Sequence, residues 1–381
     1  MIYFDNSATT KPYQEVIDSY VKVSSEYFGN PSSLHGIGGQ AEKLLTQARA
    51  QLASLLNVKP SEILFTSGGT ESNNLAVKGA ALAYKGRGRH IITTEIEHAS
   101  VRESVQQLEE AGFRISYIPV NSDGHIDVRA IEQEICDDTI IVSVIHVNNE
   151  VGSIQPVKEI GELLKAFPKV LFHVDYVQGA GKVPINLYES GIDLCSISGH
   201  KFHGLKGTGA LFIREGVRLS PLLTGGSQEG KRRSGTENVA GFVAMAKALR
   251  MTLERRDTKM PEMNQIMTTL RTELAKIKQI VIHTPEENAA PHILNFSVEG
   301  FKAEVFVHAL EEMDIFVSTT SACSSKRKSA GKTLLAMGVP AAQAESAIRI
   351  SLSFDNTMDE ARRTIQAIEA TLKRLGEVMR K

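Results

Sequence analysis

The sequence predicts an α/β fold in which helices cover both faces of a mostly parallel sheet. From residue 61 to about 213, short apolar runs alternate with segments of helical periodicity. The run at 140–147 is almost continuously apolar and β-branched, as expected for a strand buried on both faces. Polar or glycine-rich turns follow several runs, at the strand ends where open α/β sheets bind ligands.

The elements of this sheet follow two N-terminal helices. We expect helices over 15–27 and 40–56, separated by a turn-rich segment at 29–39. Strands are then predicted over 63–65, 91–93, 140–147, 170–174, 192–198 and 210–213, and helices over 71–83, 100–111 and around 161–166.

A second, smaller α+β domain is predicted in the C-terminal part. A long helix is expected from 239 to about 255, and Pro261 predicts a break before a new helix, because proline is favoured at a helix start. We therefore assign 15–258 to a large domain, and 1–14 with 259–381 to a small one. Further strands are expected over 279–283, 293–298, 315–318 and 347–352, and a capping box opens the last helix at 357–360.

Composition restricts the function classes. The 381 residues carry a net charge of −1, which favours neither nucleic acid nor a membrane surface as a partner. The three cysteines are far apart and form no CxxC, which argues against disulfides or a zinc site and for a reducing compartment. The N-terminus does not resemble a signal peptide, and no apolar run is long enough to span a membrane, so we expect a cytoplasmic protein.

The most informative turn, residues 199–204, follows the strand at 192–198. Lys201 lies between Gly199 and Gly204, and glycines allow the backbone to approach a ligand closely. A desolvated lysine loses proton affinity and becomes a nucleophile toward carbonyl groups. The alternative is a solvated lysine in a flexible loop.

A second turn, residues 66–71, joins a strand to a helix and suits a phosphate. Backbone N–H groups at a helix start, here around Gly69 and Thr70, bind anions. The alternative is an ordinary N-cap by Thr70. A nucleotide-binding P-loop is not expected, because 199–204 has the glycine spacing of GxxxxGK[ST] but Leu205 precedes the lysine.

Polar residues follow three other strands. His98, Asn149 and Asp175 each fall at a carboxyl end, as Lys201 does, and Gln178 lies three residues beyond Asp175. A carboxylate can keep a ring nitrogen protonated, which pyridoxal phosphate requires, and a histidine can stack on the ring or transfer protons. Each residue alone has a structural alternative, but their coincidence at one sheet edge favours an active site.

The C-terminal part supplies a thiol and a guanidinium. Cys323 lies in a polar loop just before Lys326, Arg327 and Lys328, and positive charge favours the reactive thiolate, although most single cysteines are inert. Arg349 interrupts an apolar strand and could bind a carboxylate with two hydrogen bonds, or could simply protect a strand edge. No metal site is expected, because His200 and His203 have no third ligand near them.

Together these motifs resemble the NifS/IscS-type cysteine desulfurases, pyridoxal-phosphate enzymes of fold type I. The resemblance covers nearly the whole chain, in DNSATT (5–10), GNPSS (29–33), residues 66–74, Glu97-His98, HVNNEVG (146–152), HVD (173–175), SGHK (198–201), RSGT (233–236) and SAC (321–323).

The resemblance implies a role for each site residue. Lys201 would bind pyridoxal 5'-phosphate covalently, Asp175 would pair with its ring nitrogen, and His98 would stack on the ring. Gln178 would contact the ring's phenolic oxygen. The phosphate would be held by Gly69, Thr70, Ser198, His200 and, from the second subunit of a homodimer, Thr236. Asn149 and Arg349 would bind the carboxylate of L-cysteine. Cys323 would take its sulfur as a persulfide, leaving alanine, for transfer to an acceptor protein.

Three departures from the family pattern stand out. Thr320 replaces a common glycine, Lys11 replaces a proline, and the chain ends at Lys381 directly after the last helix. From the short tail we expect a dedicated acceptor, such as a thiolation enzyme for tRNA or a cofactor, rather than the general iron–sulfur scaffold. The alternatives to a cysteine desulfurase are a selenocysteine lyase or another lyase of this fold, and a catalytically silent sulfur carrier.

Overall fold

A seven-stranded sheet forms the centre of the computed structural model, which describes residues 1–319 and 331–378. The strands of all sheets in the described residues are β1 (Ile2–Tyr3), β2 (Ile63–Thr66), β3 (His90–Thr94), β4 (Arg114–Ile118), β5 (Thr139–Ile145), β6 (Leu171–Asp175), β7 (Leu194–Ser198), β8 (Gly209–Ile213), β9 (Ile280–Ile282), β10 (Ile293–Val298), β11 (Ile315–Phe316), β12 (Ser318–Thr319) and β13 (Ala347–Ser351). The large sheet has the order β2-β8-β7-β6-β5-β3-β4, and only β8 runs antiparallel to its neighbours. The predicted mostly parallel sheet is therefore confirmed.

Helices cover both faces of this sheet. The α-helices of the described residues, some of which pack on the second sheet instead, are α1 (Gln14–Glu26), α2 (Gly36–Leu55), α3 (Gly69–Tyr84), α4 (Ala99–Glu110), α5 (Val128–Glu134), α6 (Val157–Leu164), α7 (Val239–Ala275), α8 (Ala303–Glu311), α9 (Lys332–Ala336), α10 (Ala341–Glu345) and α11 (Met358–Val378). Alternate residues of β5 enter opposite cores: Ile141 packs in one cluster and Val142 in the other. This two-sided burial explains the unbroken apolar run of that strand.

A second sheet, of order β12-β13-β10-β9, is antiparallel throughout. Its own apolar core includes Phe296 and Ile350, together with Ile2 and Phe4 from the N-terminus. β1 pairs in parallel with β11, so the first residues of the chain belong to this C-terminal layer. The division into 15–258 and 1–14 with 259–381 remains a prediction.

The predicted break at Pro261 is wrong, because α7 continues through the proline without interruption. Proline in a helix interior removes one hydrogen bond and costs about 3 kcal/mol. The N-terminal half of α7 buries residues such as Leu249 in the core of the large sheet, and its C-terminal half buries Ile266 and Leu270 in the other core. Packing at both ends offsets the local cost, so one helix connects the two cores.

Other differences are smaller. β4 and α5 were not predicted, and the strand expected at 315–318 is two short strands that pair in different sheets. The capping box is confirmed, because Thr357 and Glu360 exchange backbone-to-side-chain hydrogen bonds. Within residues 1–319 and 331–378, no helix combines the length and apolar character needed to cross a membrane.

Candidate active site

The turn that carries Lys201 is a short 3₁₀ segment, Gly199–Lys201, directly after β7. Lys201 is half-buried, and its Nζ donates hydrogen bonds to the carbonyl oxygens of Ser7 and Ala8, the latter at 2.8 Å. The predicted nucleophile therefore lies at the carboxyl edge of the large sheet, against the N-terminal segment.

The backbone of this turn is fixed by several parts of the chain. Five consecutive carbonyl oxygens each accept a hydrogen bond: Gly199 from Phe202 N and Gly204 N, His200 from Thr10, Lys201 from Lys182 Nζ, Phe202 from Thr252 Oγ1, and His203 from Tyr13 N. Because each carbonyl is held, the turn has little freedom to move, and the Lys201 side chain starts from a fixed point.

The N-terminal segment 5–10 packs over this turn. Ser7 N–H donates to Ser351 Oγ at 2.8 Å, and Gln178 Nε2 donates to the carbonyl of Ser7 at 2.9 Å. Thr9 Oγ1 lies 3.1 Å from His200 Nδ1. This segment carries the DNSATT motif, and its role could not be predicted from the sequence because its contacts are with residues far along the chain.

A hydrogen-bonded chain links Asp175 to His98. Asn73 Nδ2 donates to Asp175 Oδ2 and to Ser100 Oγ, both at 2.8 Å. Ser100 Oγ lies 2.8 Å from His98 Nδ1, which also accepts the Ser100 N–H. Nδ1 is thus an acceptor, so the neutral ring carries its proton on Nε2. Burial lowers the pKa of His98, and this outweighs the opposing charge of Asp175.

The start of α3 has the features of an anion site. Its N-cap, Gly68, has a φ of 152° and provides no side-chain cap. A Cβ at Gly69 would lie 2.7 Å from Val177 Cγ2, so only glycine fits there. Ser198 is buried beside this turn, whereas Thr70 is exposed. The helix dipole and unpaired N–H groups favour a phosphate here.

His200 lies in a strongly cationic environment. Burial, followed by the charges of Lys201, Lys206 and Lys182, lowers the pKa of His200 to about 4. A neutral imidazole surrounded by lysines is suited to an anionic group, which would relieve the repulsion among the cations.

Arg349 extends from β13 toward Asn149. Its Nη1 donates to the Asn149 carbonyl at 2.8 Å, and its Nη2 forms an ion pair with Asp5 at 2.9 Å. The side chain is buried, and in the described part of the chain its Nε has no hydrogen-bond partner. Next to Asn149, Glu150 is half-buried, and burial of its carboxyl group raises its pKa to about 7. The structure thus brings Arg349 and Asn149 together, as predicted, and adds Asp5.

The remaining predicted residues are placed differently. Thr236 is exposed on the segment that leads into α7. His203 donates its Nδ1–H to the Lys11 carbonyl and stacks on Tyr13 at 4.2 Å, so its ring is committed to structural contacts. Cys323 and Thr320 lie outside the described residues.

Comparison with known proteins identifies relatives along nearly the entire chain. Residues 2–363 match the family described as aminotransferase class-V. The chain is 45% identical over 380 residues to the "NifS/IcsS protein homolog" of Lactobacillus delbrueckii subsp. bulgaricus, covering 99% of both chains. It is 39% identical over 378 residues to the cysteine desulfurase IscS of Dictyoglomus turgidum, covering 99% of this chain and 96% of that one. Among solved structures, a NifS-like protein superposes with a TM-score of 0.92 at 39% identity, over 98% of this chain and 99% of the other.

Proposed function

The chain belongs to the class V aminotransferase family, among its NifS/IscS-type cysteine desulfurases, and we propose that the edge carrying Lys201 is its active site. Such an enzyme depends on pyridoxal phosphate and takes sulfur from L-cysteine, leaving L-alanine. The observation that carries the site assignment is the hydrogen-bonded chain from Asp175 through Asn73 and Ser100 to His98, at the same sheet edge as Lys201.

The residues at this edge fit the cofactor. Gln178 Oε1 and Asn73 Oδ1 are buried and have no hydrogen-bond partner among residues 1–319 and 331–378, as expected for groups that await a polar ligand. Lys201 would be the point of attachment, and Asp175 would pair with the ring nitrogen. The uncapped start of α3, with Gly69, Thr70, Ser198 and His200, would hold the phosphate.

Bound pyridoxal phosphate supplies an electron sink for the substrate's reacting carbons. The protein's contribution is to hold and move protons. His98 accepts a hydrogen bond at Nδ1 and so holds a proton at Nε2, the atom available for exchange with the substrate. Burial lowers the pKa of His98 and keeps the ring neutral, so Nε2–H can donate toward the substrate while Nδ1 stays bonded to Ser100.

Substrate orientation would rest with Arg349 and Asn149. Arg349 is fixed by the Asn149 carbonyl and by Asp5, so its planar guanidinium enters the site in one orientation. The unpartnered Nε and the remaining N–H groups would bind the carboxylate of L-cysteine.

Sulfur transfer is assigned to Cys323. Its thiolate would attack the sulfur of the bound cysteine, so that an S–S bond forms as the C–S bond breaks. The electron pair of the broken bond remains on carbon, which takes up a proton and becomes the methyl group of alanine. Cys323 is left as a persulfide for an acceptor protein serving tRNA thiolation, thio-cofactor synthesis or iron–sulfur assembly.

The active unit is proposed to be a homodimer in the cytoplasm. Thr236 is exposed, so it is available to complete the phosphate site of a second subunit. Phe28, Leu34 and Ile37 also expose apolar side chains on one segment, a feature that a second copy would cover.

Incubation with L-cysteine tests the proposed function. The purified protein loaded with pyridoxal phosphate should release alanine and, with reductant, sulfide in equal amounts. Lys201→Ala should abolish both, whereas Lys85→Ala, at an exposed lysine that follows α3, should retain them. A protein that is turned over only by L-selenocysteine would instead be a selenocysteine lyase, and one that binds no cofactor would contradict the proposal.

A further inference from the structure

A second lysine, Lys182, lies beneath the turn that carries Lys201. Its side chain is 2% exposed and ranks among the largest fully buried side chains of the described residues. It follows Gly181, whose φ of +77° turns the backbone at that point. Its Nζ donates to the carbonyl oxygen of Lys201 at 2.8 Å. Lys182 is therefore the charged member of the set of donors that fix the turn.

Burying a lysine here costs free energy, because its ammonium loses water. Burial, and then the positive charge of Lys201, lower the pKa of Lys182 to about 7. Within residues 1–319 and 331–378, no carboxylate forms an ion pair with it to offset this cost. An apolar side chain of similar size would avoid the cost entirely. The presence of a lysine at position 182 therefore requires a reason other than packing.

The titratable groups around Lys182 come from two segments. The turn contributes Lys201, His200 and His203, and the charge of Lys182 lowers the pKa of both histidines. The segment before β10 contributes His292, which is fully buried and is affected by Lys182 in the same direction. All of these groups are basic, so the positive charge of Lys182 makes protonation of each of them less favourable.

We propose that Lys182 is a positioning residue for Lys201, which it holds at the backbone carbonyl and places beside a positive charge whenever Lys182 is protonated. The hydrogen bond sets the position of the Lys201 backbone, and hence the direction in which its side chain leaves the turn. The protonated ammonium of Lys182 disfavours protonation of the Lys201 nitrogen, since the repulsion between two cations acts on both equally. The inference rests on the proposed role of Lys201 as the cofactor-binding lysine.

The variants Lys182→Met and Lys182→Arg separate charge from size. With pyridoxal phosphate bound, Lys182→Met should raise the pH midpoint of the cofactor's absorbance change by about half a unit, because the neighbouring charge is gone. The dissociation constant of the cofactor should rise about tenfold, since the turn is less well fixed. Lys182→Arg retains a donor that is charged at every pH in this range, so its midpoint should lie at or below that of the wild type. Lys182→Gln, a neutral donor, repeats the measurement if the Met variant does not fold.

Lys247→Met is the matched control. Lys247 also donates from Nζ to a backbone carbonyl, that of Glu15 at 2.7 Å, but from a solvent-accessible position. Its loss should leave the midpoint and the cofactor affinity unchanged. A Lys182→Met midpoint equal to that of Lys247→Met would overturn the inference, while the wild type would still bind cofactor. Failure of the wild type itself to bind cofactor would overturn the proposed function instead.

Discussion

Asn73 Nδ2 lies 2.8 Å from Asp175 Oδ2 and donates a hydrogen bond to it from the first turns of α3. The other carboxylate oxygen of Asp175 accepts the Val177 N–H at 3.0 Å. Both oxygens are therefore held, and the plane of the carboxylate is fixed. Because the same amide nitrogen also donates to Ser100, the orientation of Asp175 is coupled to that of His98.

The first prediction follows from this bridge. Asn73→Ala should weaken cofactor binding by about 1.5–3 kcal/mol, or about 10- to 100-fold, because it removes a hydrogen bond to a charged group. The neighbouring variant Asn74→Ala is the control, since among the described residues the Asn74 side chain donates to the backbone oxygens of Thr70 and Ser100 and not to Asp175. Cofactor titration by absorbance measures both. Equal affinities in the two variants would show that the bridge is not needed.

Much of the site could be predicted from the sequence because parallel strands end at one edge. His98, Asn149, Asp175 and Lys201 each follow a strand, and the parallel order of β3, β5, β6 and β7 brings these ends together. The local pattern of a strand followed by a polar residue was therefore sufficient to predict that residues more than a hundred positions apart lie at the same edge of the sheet.

Other features had no local signal. Asn73 looks like any polar residue on a helix, and the contact between Ser7 and Lys201 spans 194 positions. Lys182 follows a glycine in a turn, and nothing in its neighbours indicates burial. The continuity of α7 through Pro261 depends on two separate cores, whereas propensity describes only the local cost.

A second prediction concerns Arg349. Arg349→Lys should raise KM for L-cysteine about tenfold or more, because a lysine cannot donate two parallel hydrogen bonds to a carboxylate. Asp5→Asn removes the ion-pair partner but leaves the guanidinium, so its effect on KM should be smaller. Steady-state kinetics with L-cysteine measures both. An unchanged KM in Arg349→Lys would place the substrate carboxylate elsewhere.

A third prediction separates sulfur transfer from cofactor chemistry. Cys323→Ser should retain the absorbance of bound cofactor and still respond to L-cysteine, yet release almost no alanine, since the nucleophile is gone. Cys136→Ser alters an exposed thiol and Cys195→Ser a buried one, and neither should change alanine release by more than its effect on folding. Normal turnover in Cys323→Ser would assign the sulfur acceptor to another group.

A fourth prediction tests the proposed dimer through Thr236. Thr236→Ala should weaken cofactor retention by about 1.5–3 kcal/mol if its hydroxyl contacts the phosphate. Hybrid dimers of one Thr236→Ala subunit and one Lys201→Ala subunit locate this contact. If Thr236 serves the partner, the hybrid contains one intact site and binds one cofactor with wild-type affinity. A hybrid with no tight site would mean that Thr236 acts within its own subunit.

The last prediction concerns acid stability and a histidine remote from solvent. His173 lies fully buried in β6, with its ring nitrogens 2.8 Å from Ser143 Oγ and 3.0 Å from Ser196 Oγ. Burial lowers its pKa to about 3. In the unfolded chain the same group titrates near 6.5. The folded protein therefore keeps His173 neutral while the unfolded chain takes up a proton. The contribution of His173 to the free energy of unfolding is complete above about pH 6.5 and is lost progressively as the pH falls toward 3.

Glu97 has the opposite effect on the pH dependence of stability. Burial raises its pKa to about 8, so its contribution to the free energy of unfolding is lost as the pH rises from about 4.5 to 8.

The variant His173→Gln isolates the effect of the histidine, because glutamine does not titrate. The free energy of unfolding of the wild type relative to this variant should fall by about 1.4 kcal/mol per pH unit between pH 6 and 5. Urea unfolding at constant ionic strength measures it, with the exposed His308→Gln as control. A difference that stays constant across this range would show that His173 is protonated in the folded protein.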